Sequence, residues 1–577
     1  MFPRCDRMPF MDTYSITPDI PDDVNKELSA YPELTRRLLF NRGISTAAEA
    51  EIFLNPDYEK GLSDPFLMHN MEKAVERVLR AIKEEEKIVI YGDYDCDGIP
   101  GGVVLHDFFK KIGYAHFENY IPHRHTEGYG LNIAAVEKLA RSGAKVMITV
   151  DCGITDCAEV ARGNELGIDT IITDHHLVQE EVPPAYAVID AKQEEDTSPD
   201  PMLCGAGVAF KFVRALLARG DFDVSDGWEK WLLDMAGLST IADMVPLQKE
   251  NRVIAYYGLK VLRKSPRPGL QKLLRLMKMN QAYISEGDVG FMIAPRINAA
   301  SRMSDPREAF ELLSTDDEVI AGDLAAHLEK INSERKWIVA QMVKEIKKTL
   351  KEREPRDVIV IGNPNWRVGV LGIAASNIVE EYGKPAFVWG KEGSEHIKGS
   401  CRSDGTVNVV ELMTNVQEDL FLDVGGHEHS GGFSILHDKI HLLEEEVIDA
   451  YHKRKKDHVE RVTLVDKKMD IGEVNWKTYR EIEKLAPFGI GNLSPTFLFE
   501  NVVIRGVNYF GKEKNHLRID MENGTAKPVS GITFFANKAN FQRKSFAVGD
   551  RVGIVGTFDK SMFRNYPELR LRIIDIL

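Results

Sequence analysis

Acidic residues and histidines stand at the ends of several short apolar segments of this chain. They are Asp93, Asp95, Asp97, Asp151, Asp174, His175, His176 and Asp243. The segments 88–91, 146–150 and 168–172 are rich in Val and Ile and read as β-strands that end just before most of these residues. Ligands bind beyond the carboxyl ends of the strands in open α/β sheets, so we expect these side chains to gather in one place.

The acidic run and the adjacent histidines together predict a site for two metal ions. In an extended segment Asp95 and Asp97 point the same way, which suits two carboxylates that share one cation. Carboxylates that bridge two divalent ions about 3.5–4 Å apart are typical of sites that activate water and steady an in-line phosphoryl displacement. Oxygen-rich ligands with one or two imidazoles favour Mn²⁺ or Mg²⁺ over Zn²⁺.

A calcium loop is the main alternative for the acidic run. Asp93, Asp95, Asp97 and Gly98 match the start of an EF-hand loop. That loop ends in a glutamate, whereas this chain has valines at 103–104. The apolar strand ahead of the run also argues against an EF-hand, in which a helix precedes the loop.

Composition indicates a soluble globular protein and leaves a nucleic-acid partner open. The chain has 577 residues, enough for about four domains. No apolar stretch is long enough to span a membrane, and the N-terminus lacks the order of a secretory signal, so we expect a cytoplasmic protein. Its six scattered cysteines predict reduced thiols. A net charge of −15 does not exclude nucleic acid, because a local basic groove can coexist with an acidic whole.

The periodicity of apolar residues divides the chain into five regions. We expect a helical segment that packs on the core, a parallel-sheet α/β domain, a connecting helix, a smaller α/β domain and a small β-barrel. Their predicted bounds are 1–85, 86–314, 315–354, 355–458 and 459–577.

The middle regions contain one segment with two possible structures and one predicted loop. The connecting region reads either as one long helix or as two helices with a break near Asn332 and Ser333. The stretch 295–302 is predicted to be a loop that carries polar, functional side chains.

The barrel region contains residues suited to bind a single strand. The candidate stacking residues are Tyr509, Phe510, His516, Phe535, Phe563 and Tyr566. Local positive charge comes from Lys512, Lys514, Lys538, Arg543, Lys544 and Arg564.

Further sequence blocks carry a resemblance to a known family. They lie at 120–124, 127–131, 205–210, 296–300, 369–376, 425–427 and 485–492. With the acidic run and the Asp-His-His run, they resemble the DHH phosphoesterase superfamily and are most similar to its RecJ family of single-strand-specific 5′→3′ DNA exonucleases. The resemblance implies a parallel-sheet DHH catalytic domain, a long helix, a DHH-associated domain and a C-terminal OB-fold that binds nucleic acid.

The resemblance also implies roles for individual residues. Metal ligands would be Asp95, Asp97, Asp151, His175 and Asp243, in a site for two Mn²⁺ or Mg²⁺ ions. Catalytic residues beside them would be Asp93, Asp174 and His176. Substrate phosphates, including the 5′ end, would be bound by Arg124, Arg296, Arg302, Ser400, Arg402 and His427.

Four positions depart from the family pattern. Pro100 stands where Thr or Ser is common, Arg367 where His is common, and Ser301 and Cys401 where Gly is usual. None of them is an expected metal ligand. They bear on how the strand end is recognised rather than on the class of reaction.

The expected function is metal-dependent exonucleolytic hydrolysis of single-stranded DNA from its 5′ end, in DNA repair and recombination. We expect a monomer, with a single-strand-binding protein and a helicase as further partners. One alternative is a DHH phosphodiesterase for short oligonucleotides or cyclic dinucleotides, which would need neither the N-terminal segment nor the barrel. Another is a catalytically silent replication scaffold, which the mutually repelling carboxylates disfavour.

Overall fold

The computed structural model describes most of the chain. The described residues are 13–577 except 180, 394, 418, 455–461, 512–513, 525–526, 537–540 and 563–565. The predictions for Lys512, Lys538, Phe563 and Arg564 therefore lie outside the described residues.

The N-terminal segment is helical, as expected, apart from one strand at its start. Its elements are β1 (Thr13–Ile16), α1 (Asp22–Glu27), α2 (Glu33–Phe40), α3 (Ala47–Leu54), α4 (Tyr58–Gly61) and α5 (Met71–Lys83). The apolar stripe Ala74, Val75 and Val78 of α5 is fully buried in the main core, so this helix packs on the first α/β region.

The first sheet is fully parallel. Its region contains β2 (Lys87–Gly92), α6 (Gly98–Lys111), β3 (Phe117–Tyr120), α7 (Ile133–Arg141), β4 (Ala144–Val150), α8 (Cys157–Glu165), β5 (Asp169–Thr173) and β6 (Ala187–Ile189). The strand order is β3-β2-β4-β5-β6. Along β2, Ile88 and Ile90 face one core while Val89 and Tyr91 face another, because helices cover both sides of the sheet. The strand ends that carry the acidic residues consequently share one edge.

A helical layer follows the sheet. It comprises α9 (Gly205–Arg219), α10 (Leu233–Ala242), α11 (Lys249–Leu262), α12 (Pro268–Leu276), α13 (Glu286–Asp288), α14 (Ala294–Met303) and α15 (Arg307–Ser314). The prediction of a loop at 295–302 is wrong, since these residues form most of α14. Pro295 sits at the start of this helix, where its missing N–H has no intrahelical partner to lose.

One continuous helix, α16 (Glu318–Glu352), occupies the connecting region. Its 35 residues reach about 50 Å. Ala325 and Leu328 pack in the core of the first sheet, whereas Met342 and Ile346 pack in the core of the second. The alternative with a break near Asn332 is therefore wrong; the Asn332 side chain is buried within the helix.

The second α/β region has a mixed sheet. Its elements are β7 (Ile359–Gly362), α17 (Leu371–Tyr382), β8 (Ala386–Gly390), β9 (Ile397–Arg402), α18 (Val409–Thr414), β10 (Phe421–His427), β11 (Ser430–Ile435) and α19 (Leu443–Arg454). The order is β10-β11-β9-β8-β7, and only the β7–β8 pair is parallel.

A closed five-stranded barrel forms the C-terminal region. The elements are β12 (Val462–Val465), β13 (Lys467–Met469), α20 (Trp476–Glu483), β14 (Phe497–Phe510), β15 (His516–Met521), β16 (Val529–Thr533), β17 (Arg551–Ser561) and β18 (Glu568–Ile576). The barrel closes in the order β14-β15-β16-β18-β17, with β17 pairing back to β14. The expected fold class, two α/β domains joined by a long helix and followed by an OB-like barrel, is confirmed.

The N-terminal segment also docks on the barrel region, which the sequence did not predict. β1 pairs in parallel with β12, and Tyr14 Oη donates to Asp575 Oδ2 at 2.9 Å. Arg37 Nε and Asn41 Nδ2 donate to the Asp466 carbonyl. Among the helices of the described ranges, none is long and apolar enough to cross a membrane.

Candidate active site

The ends of β2, β4 and β5 and the end of α10 bring the acidic and histidine residues together. Their possible ligand atoms form three groups, each within 4.8 Å: Asp93, Asp95 and Asp151; Asp97, His175 and Asp243; Asp151, His175 and His176. Asp151 and His175 belong to two groups each. All five expected metal ligands are thus adjacent, a set of donors that could hold divalent cations.

Asp95 and Asp97 do not lie in the extended segment that the sequence suggested. The segment after β2 forms a turn, in which Asp95 Oδ1 accepts hydrogen bonds from the N–H groups of Asp97 at 2.7 Å and Gly98 at 3.3 Å. The alternation of an extended strand is lost there, so the two carboxylates join different groups. Asp93, expected in a catalytic role, lies with Asp95 and Asp151 among the possible ligands.

The N-terminus of α9 holds the Asp97 carboxylate. Gly205 N donates to Asp97 Oδ2 at 2.6 Å and Ala206 N donates to Oδ1 at 2.8 Å, while the Ser239 hydroxyl of α10 also donates to Oδ1. These contacts were not predicted from the sequence, although Gly205 and Ala206 belong to the family-like block at 205–210. Free N–H groups and the dipole at a helix start favour an anion, so the orientation of this ligand is set before any metal binds.

Asp151 carries its carboxylate on a left-handed backbone with φ of 62°. Its N–H donates to the Thr173 carbonyl at 3.0 Å, and its carbonyl accepts from the Tyr129 hydroxyl at 3.0 Å. A Cβ on Gly205 would lie 2.6 Å from the Asp151 Cβ. The α9 start can approach this strand end only because residue 205 is glycine.

His175 points its Nε2 atom into the carboxylates. The atom lies 3.1 Å from Asp151 Oδ1, 3.5 Å from Asp97 Oδ2 and 3.9 Å from Asp243 Oδ2. Burial lowers the pKa of His175 to about 4, so the imidazole is neutral at pH 7. A neutral ring whose nitrogen faces carboxylate oxygens is suited to coordinate a cation.

Asp174 and His176 form a hydrogen-bonded pair beside this group. The fully buried Asp174 accepts from Ile154 N at 3.0 Å, His175 N at 2.7 Å and His176 Nδ1 at 2.8 Å. Burial alone would lower the pKa of His176, but the bond to Asp174 and the surrounding carboxylates raise it to about 9. Asp174 thus positions His176 and lies outside the possible ligand groups of the described residues.

The carboxylates fit metal ions on electrostatic grounds. Burial and mutual repulsion raise the pKa of Asp93, Asp95 and Asp151, and raise that of Asp243 to about 8. Asp93 Oδ1 and Asp151 Oδ1 are buried without a hydrogen-bond partner. Buried, unpaired carboxylate oxygens that face one another call for cations, and oxygen ligands with one or two imidazoles suit Mn²⁺ or Mg²⁺.

Two arginines, Arg124 and Arg302, lie near Tyr94 and Asp95. The Arg124 guanidinium lies 4.9 Å from the Tyr94 ring centroid, and Arg302 donates to the Gly369 carbonyl at 3.1 Å. Burial and the neighbouring Arg124 and Arg335 lower the pKa of Arg302 to about 9. Crowded guanidinium groups of this kind are suited to bind a phosphate. Arg335, on α16, was not predicted; its buried Nε has no hydrogen-bond partner.

Of the other predicted phosphate ligands, Arg402 lies near the arginines just described, whereas Arg296 is paired elsewhere. Ser400 and Arg402 alternate with the buried Cys401 on β9, and burial together with Arg124 lowers the pKa of Arg402. Arg296 makes its contacts within the protein. It is buried, its Nε lies 2.5 Å from Glu329 Oε2, and it donates to the Met292 carbonyl. Its charge is thus compensated within the protein.

His427 closes the site from the second sheet. Its ring stacks over that of His176 with centroids 6.1 Å apart and planes 7° apart. It follows Gly425 and Gly426 at the end of β10, and Gly426 has a left-handed φ of 137°. A Cβ at Gly426 would meet the Ser430 carbonyl oxygen at 2.3 Å, so only glycine allows this turn to hold His427 over His176.

The departures from the family pattern leave the ligand set intact. Pro100 lies within the buried first turn of α6, and Ser301 is buried in α14 with its hydroxyl near the Asn298 carbonyl. Arg367 makes an ion pair with Glu392 at 3.0 Å and contacts Met303 Sδ at 3.6 Å. It therefore links the start of α17 to the end of α14, next to Arg302.

Comparisons with known proteins agree with this architecture. Residues 87–240 match the DHH family, N-terminal domain, residues 331–453 the DHHA1 domain, and residues 465–575 the RecJ OB domain. The single-stranded-DNA-specific exonuclease RecJ of Bacillus subtilis is 35% identical over 94% of this chain and 67% of its own length. That of Haemophilus influenzae is 30% identical over 86% of this chain and 88% of its own length.

Solved structures give the same result. RecJ of Thermus thermophilus in complex with Mn²⁺ superposes with a TM-score of 0.80 at 26% identity, covering 98% of this chain and 79% of its own. An exonuclease RecJ bound to manganese superposes with a TM-score of 0.59 at 32% identity, covering 68% of this chain and 96% of its own. From its sequence blocks, its site and these relatives, the chain belongs to the RecJ family of single-stranded-DNA-specific exonucleases.

Proposed function

We propose that this protein hydrolyses single-stranded DNA from its 5′ end with the help of Mn²⁺ or Mg²⁺. The observation that carries the proposal is the adjacency of two groups: the buried carboxylate and histidine ligands, and the cluster of Arg124, Arg302 and Arg402. The first is suited to divalent cations and the second to a terminal phosphate. Relatives that are named single-stranded-DNA-specific exonucleases support the same substrate.

The residues of the chain divide the work of the reaction. Two cations bound to the carboxylates and His175 would supply water activation and neutralise charge at the scissile phosphate. The arginines hold the 5′ phosphate and thereby set how far the strand enters. Asp174 keeps His176 protonated and directs its Nδ1 inward, which leaves Nε2 to donate a proton to the leaving 3′ oxygen as the P–O3′ bond breaks.

The barrel would guide the strand toward the site. A cleft of about 830 Å³ lies on its outer face, bordered by Trp476, Phe510, Arg518, Tyr566 and Arg570. Aromatic rings with nearby arginines are typical of surfaces on which single-stranded bases stack. We assign the regions 86–314 to catalysis, 355–458 to closure over the strand and 459–577 to strand binding, with 1–85 packed on the core and 315–354 as the connecting helix.

The cellular setting is part of the same proposal. The protein would act as a cytoplasmic monomer in DNA repair and recombination, with a single-strand-binding protein and a helicase as partners. A helicase would supply the single strand, and a single-strand-binding protein would present it.

End-labelled single strands test the activity. With Mn²⁺ the wild-type protein is expected to release nucleotides from the 5′ end, and EDTA should stop the release. Asp95→Asn and His175→Ala should each abolish it, whereas Asp323→Asn and His437→Ala, which alter exposed residues outside the site, should not. Degradation from the 3′ end, or cleavage of dinucleotides alone, would refute the proposal, and the latter would favour the small-substrate phosphodiesterase.

A further inference from the structure

Asp243 is the expected carboxylate ligand that the first α/β region supports least. Asp95 and Asp97 accept hydrogen bonds from backbone N–H groups, and Asp151 follows the central strand of the first sheet. Asp243 instead follows α10, and its carboxylate accepts no hydrogen bond within the described part of the chain. Met244, the next residue, is exposed and has a left-handed φ of 61°. The position of this ligand therefore depends on how the segment after it is held.

That segment has one anchor in the first α/β region and another in the C-terminal region. Val245 is buried against Ala206 at the start of α9. Leu247 N donates to the Ile490 carbonyl at 2.7 Å, and the Leu247 side chain is buried. Leu247 is the fourth residue after Asp243, so a shift at this second anchor reaches the ligand through a short piece of chain.

The second anchor is a compact turn formed by residues 487–492. Gly489 and Asn492 bond to each other through both their N–H and their carbonyl groups, at 2.9 and 3.1 Å. The buried Asn492 side chain donates to the Pro487 carbonyl at 2.8 Å and accepts from Arg42 Nε at 2.7 Å. Because its buried polar groups are paired in this way, the turn is held in one shape and can fix a neighbouring segment.

The turn fits closely against Leu247. A Cβ at Gly489 would lie 2.8 Å from Leu247 Cδ1, and Gln248 Nε2 donates to the Gly491 carbonyl at 3.0 Å. Gly489 does not have a positive φ, so its backbone conformation does not itself require glycine. The requirement at this position comes from the close approach of the two segments.

We propose that the turn at 487–492 is a positioning element for the metal ligand Asp243 and acts through Leu247. The inference rests on the proposed metal-dependent function and adds a second role for the C-terminal region. Asp243 belongs to one group of possible ligands, with Asp97 and His175. Loss of the contact should therefore weaken a cation held there, and not one held by the three carboxylates that follow β2 and β4.

Gly489→Ala tests the proposal, because the added methyl group must displace Leu247. Calorimetric titration with Mn²⁺ should show one binding step weakened about tenfold, as for lost support around a metal ligand, and another step unchanged. In the background of Leu247→Ala the same change at 489 should have no further effect, because the atoms that it meets are absent.

Cleavage provides a second readout. Gly489→Ala should cleave slowly at limiting Mn²⁺ and approach the wild-type kcat at high Mn²⁺. Its KM for strands too short to reach the barrel should equal that of the wild-type protein, because the arginines that bind the strand end are unchanged. A general loss of structure would not be reversed by added Mn²⁺.

Two further variants complete the test. Leu493→Ala changes an exposed side chain just after the turn and should bind Mn²⁺ as the wild-type protein does. Gln248→Ala removes one side-chain bond to the turn and should weaken the same step by a smaller factor, which serves if Gly489→Ala does not fold.

Three results would refute the inference. They are unchanged Mn²⁺ titrations of both Gly489→Ala and Gln248→Ala, equal weakening of both binding steps, and an effect of Gly489→Ala that persists in the Leu247→Ala background. If the wild-type protein itself shows no Mn²⁺-dependent cleavage, the proposed function fails instead.

Discussion

Two adjacent histidines of the same run have opposite protonation states because of their immediate neighbours. His175 is buried with Nε2 toward carboxylates and has a pKa near 4, whereas His176 bonds to Asp174 and has a pKa near 9. One ring is suited to bind a cation and the other to donate a proton. The sequence showed that both would lie at a strand end, but not which nitrogen would meet which carboxylate.

The pair of Asp174 and His176 predicts the pH dependence of cleavage. His176 is cationic below about pH 9 and neutral above it, so a rate that needs its proton falls as pH rises through about 9. Asp174→Asn removes the charge that raises this pKa, and the alkaline fall in kcat should move to lower pH. A pH–rate profile of both proteins at saturating Mn²⁺ measures the shift. An unchanged alkaline limb in the variant would exclude His176 as the proton donor.

Site residues could be predicted where the local sequence marks them, and could not where their role depends on a tertiary contact. Asp151 and Asp243 were recognisable because they follow apolar strand and helix patterns that local sequence reveals. The Arg296 pairing was not, because its partner Glu329 lies on another helix and only the tertiary fold brings them together. Ser239 was not predicted for the same reason, because nothing in the sequence around this buried helical serine indicates that its hydroxyl donates to Asp97.

At the scale of elements, the start of α9 is the most constrained part of the site. Gly205→Ala would push a Cβ to 2.6 Å from the Asp151 Cβ and displace either that ligand or the N–H groups that hold Asp97. We expect Mn²⁺ affinity to fall about 10- to 100-fold, as for other losses of support around metal ligands. Calorimetric titration with Mn²⁺ measures this, and wild-type affinity in the variant would contradict the role given to α9.

Gly322 in α16 is a matched control with its own expected result. A Cβ there would meet no atom within 4 Å, and the helix is continuous through this position. Gly322→Ala should raise the free energy of unfolding by about 0.5–1 kcal/mol, because alanine has less backbone entropy to lose. Thermal unfolding should show a higher Tm with unchanged Mn²⁺ affinity. A lower Tm would mean that α16 needs flexibility at this point.

The elements themselves were predictable where periodicity is strong. The strands β2, β4 and β5 and the helix α16 follow from apolar runs and helical spacing over many residues. The local sequence predicted a loop where α14 forms, because Pro295 and the polar residues after it are typical of loops. Proline is nevertheless favourable in the first turn of a helix. The local sequence also did not predict β1, a short strand whose partner β12 is far along the chain.

At the scale of the whole molecule, the proposed function places catalysis and strand binding in different regions, so the two should respond separately to mutation. Trp476 borders the barrel cleft and is 36% exposed. Trp476→Ala should weaken binding of a long single strand by about 1–3 kcal/mol, the value of one stacked base. Fluorescence anisotropy with a labelled strand measures the loss.

Short oligonucleotides provide the contrast for that prediction. A strand too short to reach the barrel should be cleaved equally by wild-type protein and by Trp476→Ala. Trp231→Ala removes an exposed tryptophan outside the barrel and should leave long-strand binding unchanged. Equal losses on long and short strands would place Trp476 in the structural support of the protein rather than on the path of DNA.

The pairing of β1 with β12 has a consequence for synthesis of the protein. Thr13 aligns with Val462, and Tyr14 bonds to Asp575, a separation of 561 residues. Chains are made from the N-terminus and their domains fold in that order, so β1 emerges from the ribosome long before either partner exists. β1 therefore has no pairing partner until both α/β regions have been translated. Nascent chains that stop before the barrel would leave this strand exposed as a free edge, open to pairing with other chains.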